Sequence, residues 1–268
     1  MRVLIVYAHP EPTSFNASMV AVAAEALRSA GHEVKLSDLY ALKFDPVSDR
    51  RNFTTLADEA RFDQQVEEKH ASTHGGFSPD IVREMEKVAW CDLLVLQFPL
   101  WWMGMPAIMK GWLDRVLALG FAYGGGRWFD EGWLAGKKAI LSVTIGGPKE
   151  AYARNGIYGP IENILGPIHR GILAFVGFTV LEPLLVHGPG RMTKEERDRA
   201  MTSVRTRFTA IESARAIPQP RSSDYERFVR RRTPLTLVRA FARRAQQIAR
   251  MIVDTCDAGG GRGLAEFR

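Results

Sequence analysis

Cysteine is nearly absent. The 268 residues include two, Cys91 and Cys256, too few for a disulfide framework or a cysteine-rich zinc site, and consistent with a reducing compartment. Long apolar runs are lacking as well: the longest, Leu93 to Ile108, is broken by Gln97, Pro99, Gly104 and Pro106, so no membrane span is expected. Met1–His9 holds one Arg and a short apolar run without a cleavage pattern; it reads as a first strand and not as a signal peptide. No Gly-x-Gly-x-x-Gly follows that strand, which argues against a dinucleotide-binding fold of the usual glycine-rich kind. There is no internal repeat, and no His or Cys spacing specifies a metal.

What is present is an ordinary globular composition, 46% apolar and 25% charged, with material for one large α/β core. The net charge of +6 is unevenly spread. Pro218 to Arg268 carries 11 Arg, no Lys and five acids, which accounts for all of it. The preceding residues are formally neutral and give no reason to expect nucleic acid. The basic tail, residues 216–268, contains a predicted helix from about Pro234 to Asp254. That helix is read as docked on its own domain or a partner, as resting weakly on an anionic membrane surface, or as a solvated extension. Gly259 to Arg268 is expected to be disordered.

The main domain, residues 1–215, alternates strands and helices. Strands are expected at Arg2–Ala8, His32–Leu39, Asp92–Leu96, Lys137–Thr144 and Thr179–Val186, the second more polar and so nearer an edge. Helices are expected at Phe15–Ala30 with Ser14 as N-cap, Ser78–Ala89, Pro106–Leu117 and Pro160–Gly177. A last one, Thr193–Ser213, carries a Thr193–Glu196 capping box. Tyr40 to Phe77 is a long polar excursion, with Leu56–Lys69 partly helical. Five strands alternating with helices describe a doubly wound parallel sheet of order 2-1-3-4-5.

Chemistry concentrates where strands end. Pro99 stops the third strand, and Leu100-Trp101-Trp102-Met103-Gly104-Met105 follows where a hydrated, polar loop is normal. Such a loop points to cover over a flat ligand, the alternative being that both Trp cap the core. After the first strand, His9, Thr13, Ser14, Phe15 and Asn16 offer hydroxyls, an amide and a helix N-terminus suited to phosphate. After the fourth, Thr144, Gly146 and Gly147 offer backbone donors for negative charge developing on a ring. Phosphate, flat ring and anion sink together describe a flavin nucleotide.

These same segments resemble the NAD(P)H:quinone oxidoreductase family of DT-diaphorase-like flavoproteins: Ala8-His9 with Thr13-Ser14-Phe15-Asn16, Ser37-Asp38-Leu39-Tyr40, Gln97-Phe98-Pro99-Leu100, Met105 to Trp112, Phe121-Ala122-Tyr123 and Gly146-Gly147. The likeness runs in order over roughly residues 1–210. It implies a flavodoxin-like fold, FAD (FMN in some relatives), and a cytoplasmic homodimer with active sites at the subunit interface. It also implies ping-pong two-electron reduction of quinones by NADH or NADPH. By position, His9, Ser14, Phe15 and Asn16 would hold phosphates and ribityl chain. Pro99, Leu100, Trp101, Trp102 and Met103 would line the ring edge. Thr144, Gly146, Gly147 and Tyr152 would face the pyrimidine end, and Tyr123 of a second subunit would shape the substrate pocket with Trp102 and Met103.

The chain departs from the family pattern at one catalytic pair. A tyrosine is followed six residues later by a histidine in the family; here Tyr152 is followed by Tyr158, and a phenol with an ordinary pKa of about 10 exchanges protons poorly at neutral pH. Gly125 stands where relatives can carry a second pocket tyrosine. His169 and His187 read as structural, Trp112 as core. The rival functional readings are a flavin- and nucleotide-sensing subunit of a membrane transporter and a one-electron flavodoxin-like carrier.

Overall fold

In the computed structural model, which describes residues 1–226, 229 and 230, the sheet is parallel throughout. β1 (Arg2–Tyr7) pairs with β2 (Glu33–Asp38) on one side and β3 (Leu93–Pro99) on the other. β4 (Lys138–Ile145) follows β3, and both β5 (Thr179–Val180) and β6 (Leu184–His187) pair with β4. The order is β2-β1-β3-β4-β5, with the polar β2 at an edge. All seven residues of β3 are buried, as a strand covered on both faces must be.

Strand side chains alternate between faces, and two cores follow from that. Val3, Ile5, Leu93, Val95 and Ile140 face α1 (Phe15–Ser29) and α6 (Lys194–Thr209), meeting Met19, Ala23, Leu27, Val204 and Phe208. Leu4, Val6, Leu94, Leu96, Leu141 and Val143 face the other way, toward Ile81 and Val88 of α3 (Pro79–Trp90), Met109 and Trp112 of α4 (Ala107–Val116), and Leu165 of α5 (Ile161–Ile168).

Three expected elements differ. The helix of the long excursion is α2, Gln64–His74, and begins well after Leu56. The upstream backbone is committed elsewhere: Glu67 accepts from Ala57 N and Asp58 N, and Asp58 from Ala60 N and Arg61 N. Asp63 then caps α2 through the amides of Gln65 and Val66. Buried Arg115 holds the rest of the excursion, donating to Asn52 Oδ1 and the Asp45 carbonyl at 2.7 Å each and lying 3.0 Å from Asp80. There Gly111 is obligatory, since a Cβ would stand 2.2 Å from the Pro46 carbonyl oxygen.

The helix expected over Pro160–Gly177 is α-helical only to Ile168. Pro167 lies inside it, with no N–H for the ladder, and a π-helical turn takes over at His169–Ala174. The fifth strand divides at Glu182-Pro183 because proline cannot donate to the ladder. Beyond α6 the chain returns antiparallel, with Ile217 N bonded to the Val180 carbonyl and Glu182 N to that of Arg215. Met1–Ser222 forms one compact unit. Of the remainder, Tyr225–Glu226 and Val229–Arg230 pair as a small antiparallel hairpin. The tail helix and disordered end expected from sequence lie outside the described residues. Among those described, no helix is long and apolar enough to cross a membrane, and no group of three or more His, Cys, Asp and Glu is placed to hold a metal.

Candidate active site

The ends of β1, β3 and β4 are tied by one buried side-chain chain. Gln97 Nε2 donates to Asn16 Oδ1 at 2.7 Å, and Asn16 Nδ2 to Thr144 Oγ1 at 2.7 Å. All three residues are at least 96% buried, so their polar groups had to be paired. Asn16 belongs to α1, and the chain therefore locks the helix N-terminus onto the sheet. Ser14 caps that helix by accepting from Ala17 N at 3.1 Å, and Tyr7 Oη is 3.3 Å from its hydroxyl. The amides of Phe15 and Asn16, in the first helical turn, have no intrahelical acceptor. Glu11 shapes the loop before them, taking bonds from Thr13 N and Oγ1 at 2.8 and 2.6 Å.

A cavity of about 480 Å³ opens here, lined by His9, Thr13, Ser14, Phe15, Asn16, Pro99, Leu100, Trp101, Thr144 and Gly146. Pro189, Gly190 and Arg197 complete its lining. The sequence reading missed these three. Arg197 lies near the N-terminus of α6 with its guanidinium 6.0 Å from the Phe15 ring centre. Its Nε donates to the Met192 carbonyl at 3.4 Å, and nothing in the sequence sets it apart from the other basic residues of α6.

Trp102 and Met103 do not line the cavity. They are the two central residues of a tight turn closed by Trp101 N to the Gly104 carbonyl and Gly104 N to the Trp101 carbonyl, both 2.9 Å. Their φ angles are +49° and +60°, the left-handed region that such turns normally fill with Asn-Gly. Trp102 is fully exposed, and Trp101 and Met103 are more than 40% exposed. Neither Trp caps the core: Leu100 and Met105 pack against it, and the loop's tip stands open.

Gly147 and Tyr152 stand on the other flank of Gly146. A Cβ on Gly147 would be 2.9 Å from Tyr152 Cε2. Tyr152 is buried, and its ring centre is 5.1 Å from that of half-exposed Tyr158 and 5.8 Å from that of His187. Burial, and then the neighbouring Tyr158, push the Tyr152 phenol above its ordinary pKa. Tyr123 is elsewhere, beside Glu68 (3.4 Å) and Phe175 (ring centres 6.1 Å), in a separate cavity of about 400 Å³. Burial, with the Glu68 charge second, raises its pKa also.

Residues 1–208 match the model of a family described by its flavodoxin-like fold. The chain is 46% identical over 211 residues to NAD(P)H dehydrogenase [quinone] 1 of Cavia porcellus, covering 78% of this chain and 77% of that one. The chain belongs to the NAD(P)H:quinone oxidoreductase family of flavodoxin-like proteins. It is also 41% identical over 218 residues to ribosyldihydronicotinamide dehydrogenase [quinone] of Homo sapiens, covering 81% of this chain and 94% of that one. Among solved structures, an NAD(P)H:quinone oxidoreductase from Methanothermobacter marburgensis aligns with a TM-score of 0.62 at 25% identity, over 79% of this chain and 97% of that one.

Proposed function

We propose that the protein binds a flavin nucleotide at the ends of β1, β3 and β4 and uses it to reduce quinones with NADH or NADPH, two electrons at a time in a ping-pong cycle. The observation carrying this is the cavity into which all three strand-end loops open. Its donors suit the cofactor: unpaired amides at the α1 N-terminus and the Arg197 guanidinium for phosphate, and Thr144 and Gly146 for the polar edge of a ring. FAD is the expected form and FMN the alternative. A flavin held there supplies hydride acceptance and donation to the reaction.

The chain's residues orient and shield. The Gln97–Asn16–Thr144 bonds keep the cradle rigid before anything binds, which lowers the ordering cost of binding. Trp102 and Met103 hold their backbone amides outside the turn's own pairing, available to a ligand, and their side chains wall the substrate side. Tyr152 offers a hydroxyl near the Gly147 amide. A second copy of the chain supplies Tyr123, which lies apart from the cradle in one protomer, so the working unit is a homodimer. In this reading residues 1–215 form the flavin-binding catalytic domain. Residues 216–268 are a basic tail that touches an anionic membrane surface at most weakly.

Purification, a visible spectrum, identification of the released flavin, and NADH and NADPH oxidation with menadione test the proposal together. A yellow protein that oxidises either nucleotide when menadione is added is expected. A colourless protein that retains neither FAD nor FMN when both are offered in excess overturns it.

A further inference from the structure

Tyr152 is packed by two rings, and they differ in what they can do. Tyr158 brings a second phenol. His187 brings an imidazole, and the sheet itself sets its position: it ends β6 in register with Ile145, the last residue of β4, just before Gly146-Gly147. The buried Nδ1 of His187 has no hydrogen-bond partner. Yet the residue is only part-buried and lines an open cleft of about 470 Å³ with Lys149, Glu150, Arg191, Glu196 and Arg199. Its ring therefore packs against the buried phenol on one side and faces an open cleft on the other.

Quinone reduction needs such a junction. A quinone becomes a hydroquinone by taking two electrons and two protons, whereas a nicotinamide gives up two electrons and one proton as hydride. One proton per turnover must enter from water. A phenol ionises near pH 10, and Tyr152 is pushed higher still by burial, so at neutral pH it conducts a proton only beside a group that readily gains and loses one. Imidazole is that group.

Resting on the quinone-reductase reading above, we infer that His187 takes this proton from water and delivers it through the Tyr152 hydroxyl. As the Tyr152 O–H proton leaves for the quinone oxygen, the His187 imidazolium gives its own to the Tyr152 oxygen, and the neutral imidazole reloads from the cleft. His187 is thus a positioning residue acting through Tyr152. Its surroundings are mixed. Burial holds it below the usual histidine value, the Gly147 backbone and Glu150 oppose that, and Lys149 adds to it. Arg191, Arg199 and Glu196, across the same cleft, are the other charges facing it.

The test uses the full chain loaded with flavin. H187Q should keep its flavin spectrum and its quinone KM within about twofold, lose at least about tenfold in kcat at pH 7, and lose the rise of kcat that wild type shows as pH falls from about 7 to 5. H187Q/Y158H, with a histidine at the other ring against Tyr152, should recover most of the loss. As a readout apart from turnover, carbon-13 labelling of histidine should show the His187 titration moving by about half a unit or more when the bound flavin is reduced, and this response should vanish in Y152F. A flavin-loaded H187Q with wild-type kcat and pH profile, or a His187 titration indifferent to the flavin's redox state, overturns the inference. Failure of the unaltered chain to hold any flavin overturns the quinone-reductase reading itself, a result visible before any variant is made.

Discussion

The Gln97–Asn16–Thr144 chain and the Trp101–Gly104 turn sit at the ends of neighbouring strands, and their energetics are opposite. In the first, buried amides and a hydroxyl satisfy one another inside the protomer. In the second, two bulky residues hold positive φ while a tryptophan stands wholly in solvent. A left-handed backbone costs about 1–3 kcal/mol at a non-glycine residue, and the protomer shows no return for it. The rigid half of the site is thus complete in one chain, whereas the strained half finds no compensating contact there, which is what the proposed flavin and second subunit would supply.

Breaking the rigid half should have the largest effect. Asn16→Leu leaves Gln97 and Thr144 without their shared partner, each a loss of about 1–3 kcal/mol. Urea unfolding should register about 3 kcal/mol of destabilisation, with flavin no longer retained through gel filtration. Relieving the strained half should do the reverse. Replacing Trp102-Met103 by Asn-Gly should raise the stability of the flavin-free protein by about 2 kcal/mol while quinone turnover falls; a loss of stability would mean that Trp102 serves the fold after all.

A buried group away from both regions calibrates the comparison. His169 is held down to about 4 from 6.5 by burial alone. Because its folded pKa is depressed, the neutral imidazole's contribution is complete above about pH 6.5 and is lost as pH falls toward 4. Wild type should lose about 1 kcal/mol more between pH 7 and 5.5 than H169Q does. The smallest effect is expected at Arg197. Arg197→Gln should weaken flavin binding about fivefold and flatten its dependence on salt, as read by fluorescence titration; unchanged affinity would remove Arg197 from the cofactor's phosphates.

Legibility in the sequence followed the range of the interaction. The Thr193–Glu196 capping box is a four-residue code, and both of its bonds form, Thr193 N to Glu196 Oε2 at 2.8 Å and Glu196 N to Thr193 Oγ1 at 3.2 Å. Ser14 as N-cap and the fully buried third strand were readable for the same reason, since period and end chemistry are local, while the sheet order followed from the rules of doubly wound folds. The residues of the three loops could be named, but not that Trp102 and Met103 would turn away from the cavity that Trp101 lines. No Asn-Gly announced that turn, and positive φ there is imposed by the pairing of Trp101 with Gly104. The start of α2 was misplaced because Glu67 competes for amides nine and ten residues upstream, a contact that periodicity does not encode.

Arg197 and His187 show where reading stops. Each lies far along the chain from the loop it meets, Arg197 beside Phe15 and His187 beside Tyr152. What the sequence determined by itself was a doubly wound parallel sheet and the kinds of chemistry gathered at the ends of its strands, because helical and strand periodicity, caps and breakers act over a few residues. Which side chains share a cavity, which proline divides a strand and which histidine packs against the buried phenol were decided only in three dimensions. Strand register and helix packing bring together residues from tens of positions to more than a hundred apart, and burial then changes what those groups can do.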